Sequence, residues 1–314
     1  MLRQLFAVVL VSLLAFGQQP AAPPKPAAPP NVVPQGQTGT ISLDVTRVNF
    51  LYTVTDKRGR FVTNLVQDDF EIIESKRPQQ ILEFVAETNL PLRLGVLVDT
   101  SNSIRDRFRF QQEAAVEFIR GVMRAQDKMI VVSFDTSAEL LADMTNDVDK
   151  LEKTVRDMRP GGGTALYDAV YFSCRDKMMQ DQPMHKFRRA LVLISDGDDN
   201  QSRYTRDQAL EMAQKADTVI FTISTNITKM PSEGDKVLKY LAEETGGTYF
   251  APFKATDLTQ SFENIANELR SQYNVLYRPE PLKTDGQFHP VSIKVKGRKD
   301  LVVRARKGYY APRS

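Results

Sequence analysis

The chain has 314 residues, of which 41% are hydrophobic and 26% are charged, a composition typical of globular proteins. Its 42 Lys and Arg against 39 Asp and Glu give a formal net charge of +3, so the charge balance does not favour a nucleic acid as partner. The single Cys excludes an intramolecular disulfide framework and a zinc site built from a cysteine cluster. Two histidines, His185 and His289, cannot form a histidine-rich metal centre. The chemistry of any site must therefore rest mainly on carboxylates, hydroxyls and the backbone.

The N-terminus has the pattern of an export signal followed by a linker. Residues 1–17 carry one charge, Arg3, ahead of an apolar stretch that ends in small residues suited to cleavage before Gln18. Residues 18–38 are rich in Pro and Ala, which predicts an extended, disordered linker. The apolar stretch is too short for a comfortable membrane span, and no later stretch is long enough. We therefore expect a secreted or periplasmic protein with no transmembrane helix after signal cleavage.

Residues 39–90 predict a segment of short β-strands. Apolar and polar residues alternate over 41–45, and residues 48–54 are β-branched and aromatic. Further short strands are predicted over 70–74 and 81–85, separated by turn signals. Four or five strands are too few to form a closed sandwich alone, so this segment requires a partner surface.

From residue 91 to residue 272, strands alternate with helices. Apolar runs without alternation predict strands that are covered on both faces. Strands are predicted over 94–98, 129–134, 190–194, 219–223 and 248–250, and helices over 107–124, 147–158, 165–179, 205–216, 235–244 and 257–272. This order is typical of a doubly wound, mostly parallel sheet flanked by helices, a Rossmann-like α/β fold.

Residues 273–314 return to strands, predicted over 273–277, 290–295 and 301–305. We predict that they pair with residues 39–90 in a small β-sandwich-like domain, into which the α/β domain is inserted. The alternative is that the two segments are separate additions to opposite edges of the parallel sheet.

Three polar segments lie where a doubly wound sheet binds ligands, at the carboxyl ends of its strands. A D-x-S-x-S sequence at 99–103 follows the first buried strand, and S-D-G at 195–197 follows the third. Between them, G-G-G-T at 161–164 opens a helix, and its glycines allow a close approach to an ion. Carboxylate and hydroxyl oxygens suit Mg²⁺, Mn²⁺ or Ca²⁺ rather than a soft metal. The candidate ligands are Asp99, Ser101, Ser103, Thr164 and Asp196.

Other interpretations explain these segments less well. Residues 97–101 are similar to a catalytic loop of aspartic proteases, but that chemistry needs a second such loop and an all-β fold. The glycine-rich segment lacks the Gly-Lys-Ser/Thr ending of a phosphate-binding loop. Residues 196–200 begin like a calcium loop, but Gln201 stands where that loop requires Gly. Cys174 is predicted to be a buried helix residue, and His185 to lie on the surface.

In this order and context, the segments resemble a von Willebrand factor type A domain with a complete metal ion-dependent adhesion site. The resemblance spans residues 91–272, and the flanking strands are similar to bacterial secreted proteins with a related domain. It implies close coordination by Ser101, Ser103 and Thr164, and direct or water-mediated coordination by Asp99 and Asp196. It also implies that an acidic side chain of a partner completes the coordination, and that the helix over 257–272 shifts when a ligand binds.

We therefore expect an exported, non-enzymatic adhesion or binding protein that captures an Asp or Glu of a protein partner through Mg²⁺, with Mn²⁺ or Ca²⁺ as alternatives. One competing hypothesis is a structural module of the cell envelope in which the metal only stabilises loops; another is a hydrolase. The basic residues between Lys294 and Lys307 are typical of a solvated strand face. Contact with an anionic envelope surface or an acidic partner is the alternative for them.

Overall fold

The structure is a computed structural model that describes residues 47–86, 90–183, 186–226, 228, 230–252 and 255–313. The expected signal peptide, the expected linker, the strand predicted over 41–45 and His185 lie outside these residues. Within the described ranges, every helix is too short or too polar to cross a membrane.

Four strands come first along the chain, a region in which helices are interspersed with strands follows, and four more strands end the chain. The strands are β1 (Val48–Asp56), β2 (Phe70–Glu74), β3 (Arg77–Gln79), β4 (Ile81–Val85), β5 (Leu92–Asp99), β6 (Lys128–Phe134), β7 (Ala138–Thr145), β8 (Arg188–Ser195), β9 (Thr218–Ser224), β10 (Tyr249–Phe250), β11 (Tyr273–Tyr277), β12 (Phe288–Val295), β13 (Leu301–Ala305) and β14 (Gly308–Tyr310). The α-helices are α1 (Phe108–Val122), α2 (Val148–Asp157), α3 (Leu166–Ser173), α4 (Arg206–Lys215), α5 (Glu233–Thr245) and α6 (Ala255–Arg270).

The middle of the chain forms a six-stranded sheet in the order β10-β9-β8-β5-β6-β7. All neighbouring strands are parallel except β6 and β7. Every residue of β5, β8 and β9 is buried, because helices cover both faces of the sheet. One apolar core lies between the sheet and α1, α2 and α6, and a second lies between the sheet and α3, α4 and α5.

The two ends of the chain build a pair of antiparallel sheets, in the orders β13-β1-β11-β4 and β14-β12-β2-β3. Strand β1 pairs with β11 and β13, and β2 pairs with β12, so each sheet combines strands from both ends. The two sheets share one apolar core. The rings of Tyr52, Phe70 and Tyr273 pack within it at centroid distances of 5.1 to 5.5 Å. The predicted fold class, a mostly parallel α/β sheet with added antiparallel sheets, is confirmed.

Some elements differ from the sequence prediction. The helix predicted from residue 107 is preceded by a 3₁₀ turn, Asn102–Arg107, a common way to start a helix. The helical segment predicted over 165–179 changes after Ser173 into one π-helical turn, Cys174–Met178. Strand β7 was not predicted, because exposed acidic residues interrupt its apolar pattern at the edge of the sheet.

The antiparallel sheets lie against the end of the parallel sheet at which its strands begin. The Arg306 guanidinium forms an ion pair with Asp217 (3.0 Å) and donates to the Gln214 carbonyl (3.4 Å). The Lys307 amide donates to the Glu244 carbonyl (3.2 Å). Because Asp217 immediately precedes β9 and Glu244 precedes β10, these contacts lie at the amino ends of the strands. The carboxyl ends, where the polar segments lie, are at the opposite edge of the sheet.

Candidate metal centre

Asp99, the last residue of β5, is completely buried at the candidate site. Its Oδ1 accepts a hydrogen bond from the Ser101 amide (2.8 Å), and its Oδ2 accepts one from the Ser195 hydroxyl (2.6 Å). The Gly197 amide in turn donates to Ser195 Oγ (3.0 Å). The ends of two neighbouring parallel strands therefore fix the position and the orientation of this carboxylate.

Burial has a clear electrostatic effect on Asp99. It raises the pKa of Asp99 to about 6, although the hydrogen bonds from Ser195 and Ser101 act in the opposite direction. The nearby Asp196 carboxylate adds to the increase. A cation beside these two carboxylates would favour the charged form of Asp99, which the protein alone disfavours.

The hydroxyls of the first polar segment connect it to the segment that follows β8. Ser101 Oγ and Ser103 Oγ lie 2.9 Å apart, and Ser103 Oγ donates to Asp196 Oδ2 (2.7 Å). Ser101 is buried, Asp196 is half-buried and Ser103 is exposed. The oxygens thus form a continuous group that begins in the interior at Asp99 and reaches solvent at Ser103 and Asp196.

Thr164 lies on the glycine-rich segment, residues 161–164, and its backbone is hydrogen-bonded to residues that follow Asp196. Its amide donates to Asn200 Oδ1 (3.0 Å), and its carbonyl accepts the amides of Asn200 and Gln201 (both 3.0 Å). The Thr164 side chain is buried, with 4% exposure. The structure therefore places Thr164 beside the Asp196 segment and records no hydrogen bond from its hydroxyl to the other four candidates.

The glycine-rich segment is also attached to the first segment. The Gly161 amide donates to the Thr100 carbonyl (2.6 Å), and the Asn102 amide donates to the Gly162 carbonyl (3.3 Å). Gly162 has a φ of +80°, and a Cβ atom there would lie 2.7 Å from Thr136 Oγ1. Glycine is therefore required at this position both by the backbone conformation and by the available space.

Two carboxylates that sequence reasoning did not assign to the site hold its segments together. Asp168, in the first turn of α3, accepts the amide of Arg203 (2.9 Å), while its own amide donates to Ser202 Oγ (3.0 Å). Asp199 accepts the Tyr167 amide (3.2 Å) and the Ser202 hydroxyl (2.5 Å). The sequence signal for Asp168 is its place at the start of a predicted helix, and Asp199 lies in the polar segment that follows the third buried strand. Both fasten the segment after Asp196 to the helix after Thr164.

A close backbone contact fixes the Asp196 segment from its other side. Gly197 has a φ of +86°, and a Cβ atom there would lie 2.2 Å from the Gly234 carbonyl oxygen. A Cβ atom on Gly234 would lie 2.2 Å from the Asp196 carbonyl oxygen. The first turn of α5 therefore packs directly on the backbone that carries Asp196, and both glycines are needed for this approach.

The donor set fits a hard divalent cation. Two carboxylates and three hydroxyls are the oxygen ligands that suit Mg²⁺ and related ions. Among the residues that the structure describes, no three His, Cys, Asp or Glu side chains form a group that could hold a metal. A cation bound at this edge of the sheet would therefore depend on the hydroxyls as well as on Asp99 and Asp196.

The remaining sequence candidates lie away from these segments. Cys174, the first residue of the π-helical turn that follows α3, is completely buried, and burial raises the pKa of its thiol to about 12, which disfavours a nucleophilic role. His289 lies in β12, where its Nε2 contacts Asp285 Oδ1 at 2.9 Å.

Comparison with known proteins gives a sequence match in the central region of the chain and several structural matches. Residues 94–198 match the sequence profile of the von Willebrand factor type A domain. A von Willebrand factor type A structure from Catenulispora acidiphila is 14% identical, with 78% of this chain and 73% of that chain covered and a TM-score of 0.50. An aerotolerance-related membrane protein from Bacteroides fragilis is 17% identical, with 56% and 98% covered and a TM-score of 0.46.

Proximal thread matrix protein 1 from the mussel byssus, solved with a zinc-occupied metal ion-dependent adhesion site, is 15% identical, with 61% and 48% covered and a TM-score of 0.48. No curated protein matches the sequence. At sequence identities this low, the similarity to these solved structures concerns the fold and not the function. The chain is therefore similar in sequence to the von Willebrand factor type A domain over residues 94–198, and its α/β part has the fold of that domain.

Proposed function

We propose that this chain is an exported, non-enzymatic binding protein that captures an acidic side chain of a protein partner through a divalent cation. The proposed ligands are Asp99, Ser101, Ser103, Thr164 and Asp196, and the proposed ion is Mg²⁺. The sequence match supports a binding role, since von Willebrand factor type A domains typically bind protein partners. The proposal of export rests on the pattern of the N-terminal sequence.

One observation carries the proposal: the hydrogen-bonded group of oxygens that joins Asp196, Ser103 and Ser101 beside Asp99. These side chains come from segments that are far apart in the chain, yet their oxygens lie within 2.9 Å of their neighbours. Such convergence at the carboxyl ends of parallel strands is typical of a binding site rather than of a structural turn.

The proposed ligands would have different roles in binding the ion. Asp99 would supply a fixed, buried charge, because Ser195 and the Ser101 amide hold both of its oxygens. The neutral hydroxyls would contribute oxygens without neutralising the ion. A Mg²⁺ ion with few charged protein ligands keeps an affinity for a further carboxylate, and the exposed side at Ser103 and Asp196 is where a partner would approach.

The metal site can be tested with Mn²⁺, whose binding is measured directly by electron paramagnetic resonance. We expect one bound Mn²⁺ per chain that Mg²⁺ displaces, and a loss of binding in Asp196→Ala. Asp207→Ala is the matched control, because Asp207 is an exposed carboxylate that pairs with Arg206 on α4. Equal Mn²⁺ binding by the wild type and Asp196→Ala would contradict the ligand assignment.

The capture of a carboxylate requires a second measurement. Water-proton relaxation of the Mn²⁺-loaded protein should fall when a hexapeptide library with a fixed Glu displaces metal-bound water, and it should not change with the matching Gln library. If Mn²⁺ binds and raises the melting temperature but the Glu library has no effect, the structural hypothesis is favoured instead. Catalytic turnover that Asp196→Ala abolishes would favour a hydrolase.

A further inference from the structure

Charge is distributed unevenly between the two parts of the chain. Residues 47–86 and 273–313, which form the two antiparallel sheets, contain 16 Lys and Arg against 9 Asp and Glu. Residues 90–272, which form the α/β part, contain 24 Lys and Arg against 28 Asp and Glu. The small net charge of the whole chain therefore conceals a positive β-domain and a negative α/β domain.

Part of this positive charge lies at one end of the β-domain, on two neighbouring turns. The turn after β1 covers residues 57–60, and the turn between β12 and β13 covers residues 296–300. All of these residues are exposed. We name as the basic end the side chains of Lys57, Arg58, Arg60, Lys296, Arg298 and Lys299.

Several contacts show that the two turns form one surface. Strands β1 and β13 pair with Asp56 opposite Leu301, so the turn that follows β1 lies beside the turn that precedes β13. The Arg298 guanidinium lowers the pKa of Asp300, and Lys57 on the other turn adds to this effect. The Lys296 amide donates to the Asp69 carbonyl (2.7 Å), which attaches the segment before β2 to the same end.

Asp56 and Asp300 at this end are engaged by its own structure, whereas Asp68 is exposed. Asp56 accepts the backbone amides of Arg58 (2.8 Å) and Arg60 (3.0 Å) and pairs with the Arg60 side chain. Asp300 pairs with Arg298 (2.8 Å). Among the described residues, no ion pair is formed by the side chains of Lys57, Arg58, Lys296 and Lys299. Four exposed cationic groups are therefore available to an external anion.

An exposed apolar side chain accompanies these charges. Val66 is 60% exposed, and its amide donates to Asp69 Oδ2 (2.8 Å), so Asp69 holds it at the same end of the domain. A polyanionic polysaccharide such as heparin offers little hydrocarbon to an apolar side chain, whereas a bilayer surface offers both phosphate groups and hydrocarbon. The combination of basic turns with Val66 therefore favours a lipid surface as the occupant.

We propose that the basic end docks on the surface of an anionic phospholipid bilayer, with its Lys and Arg side chains at the phosphates and Val66 at the acyl boundary. This binding is separate from the proposed metal site and needs no cation. The candidate metal site lies at the carboxyl edge of the parallel sheet, away from the β-domain, so a docked molecule keeps that site open to solvent.

The test is co-sedimentation of the chain from Gln18 onward, without the expected signal peptide, with vesicles of phosphatidylcholine, with and without phosphatidylglycerol, in the presence of EDTA. We expect binding only to the phosphatidylglycerol vesicles, and weaker binding as salt screens the charges. Each Lys near an anionic surface contributes roughly fivefold to binding, so Lys296→Glu with Lys299→Glu should lower the partition coefficient by about 25-fold or more. Val66→Ser should lower it by a smaller factor.

The matched control is Lys236→Glu with Lys239→Glu, which makes the same change of charge on the exposed face of α5 in the α/β domain. It should bind vesicles nearly as the wild type does. The proposal is overturned if the wild-type chain does not bind vesicles that contain phosphatidylglycerol, or if it binds both vesicle types equally. It is also overturned if the control loses as much binding as the Lys296→Glu, Lys299→Glu variant. Binding to heparin without binding to vesicles would also overturn it, in favour of a soluble polyanion. Because EDTA is present throughout, none of these outcomes depends on the proposed metal site.

Discussion

The hydroxyl of Ser195, at the end of β8, donates a 2.6 Å hydrogen bond to the carboxylate of Asp99, at the end of β5. Both residues are completely buried. Ser195 also accepts the Gly197 amide, so one hydroxyl joins the buried carboxylate to the turn that carries Asp196. The two Asp residues of the candidate site are therefore positioned relative to each other by a residue that is not itself a proposed ligand.

Replacing Ser195 should weaken metal binding without removing a ligand. We expect Ser195→Ala to lower Mn²⁺ affinity by about tenfold, the effect typical of residues that orient metal ligands. The free energy of unfolding should fall by about 1–3 kcal/mol, because the buried Gly197 amide loses its acceptor. Electron paramagnetic resonance and urea unfolding measure the two effects. Ser292→Ala, on an exposed position of β12, should change neither, and unchanged affinity in Ser195→Ala would argue against its positioning role.

Asp168 should act on the site through the backbone that it holds. In Asp168→Asn the carboxylate that accepts the Arg203 amide loses its charge, so the segment after Asp196 is held less firmly against α3. We expect Mn²⁺ affinity to fall by about tenfold. Asp176→Asn, a change of the same kind at the partly exposed partner of Arg175, serves as control. If both variants bind Mn²⁺ like the wild type, Asp168 has only a structural role.

The contact between Gly234 and the Asp196 segment should not tolerate a methyl group. In Gly234→Ala the added Cβ would lie 2.2 Å from the Asp196 carbonyl oxygen, so either α5 or the segment must move. We expect a loss of about 1–3 kcal/mol in unfolding free energy, together with weaker Mn²⁺ binding. Gly121→Ala in α1 meets no atom within 4 Å and should instead stabilise the chain by up to about 1 kcal/mol. Calorimetry of both variants separates steric conflict from helix propensity.

Asp235 should make the free energy of unfolding depend on pH under acidic conditions. Burial acts to raise its pKa, but hydrogen bonds from Ser224, Ser232, Asn226 and Tyr249 outweigh burial and lower the pKa to about 2. A carboxyl group whose pKa is lower in the folded state stabilises that state above its unfolded pKa, and the contribution is lost as pH falls through the folded value. Asp235→Asn should thus cost about 2 kcal/mol at neutral pH and much less near pH 2, as urea unfolding would show. A cost that does not change with pH would contradict this assignment.

Most of the fold could be predicted because the buried strands are apolar runs and the helices have apolar residues at helical spacing. Strands β5, β8 and β9 contain apolar runs without polar alternation, as expected for strands of a sheet that is covered on both faces. Strand β7 could not be found in this way, since it lies at an edge where Glu139 and Asp143 face solvent. Strand β3 has three residues and contains Pro78, so neither its length nor its composition predicts a strand.

The candidate site could be predicted only in part, for a related reason. Its proposed ligands are concentrated in short motifs at strand ends, and these can be read from the sequence. The residues that support them, Ser195, Asp168 and Asp199, act mainly on backbone amides or on single side chains of other segments. Such contacts depend on which segments become neighbours in space, and no local pattern of residues encodes that.

The pairing of β1 with β11 has a consequence for the order of events in synthesis. Val48 pairs with Tyr277, so the first described strand cannot find its neighbour until the whole α/β domain has emerged. The α/β domain, whose contacts are closer in sequence, can therefore complete its core first and bring the two ends of the chain together. Until then β1, β2 and β4 expose unpaired edges, which makes the interval before the last strands appear the period of greatest risk of aggregation.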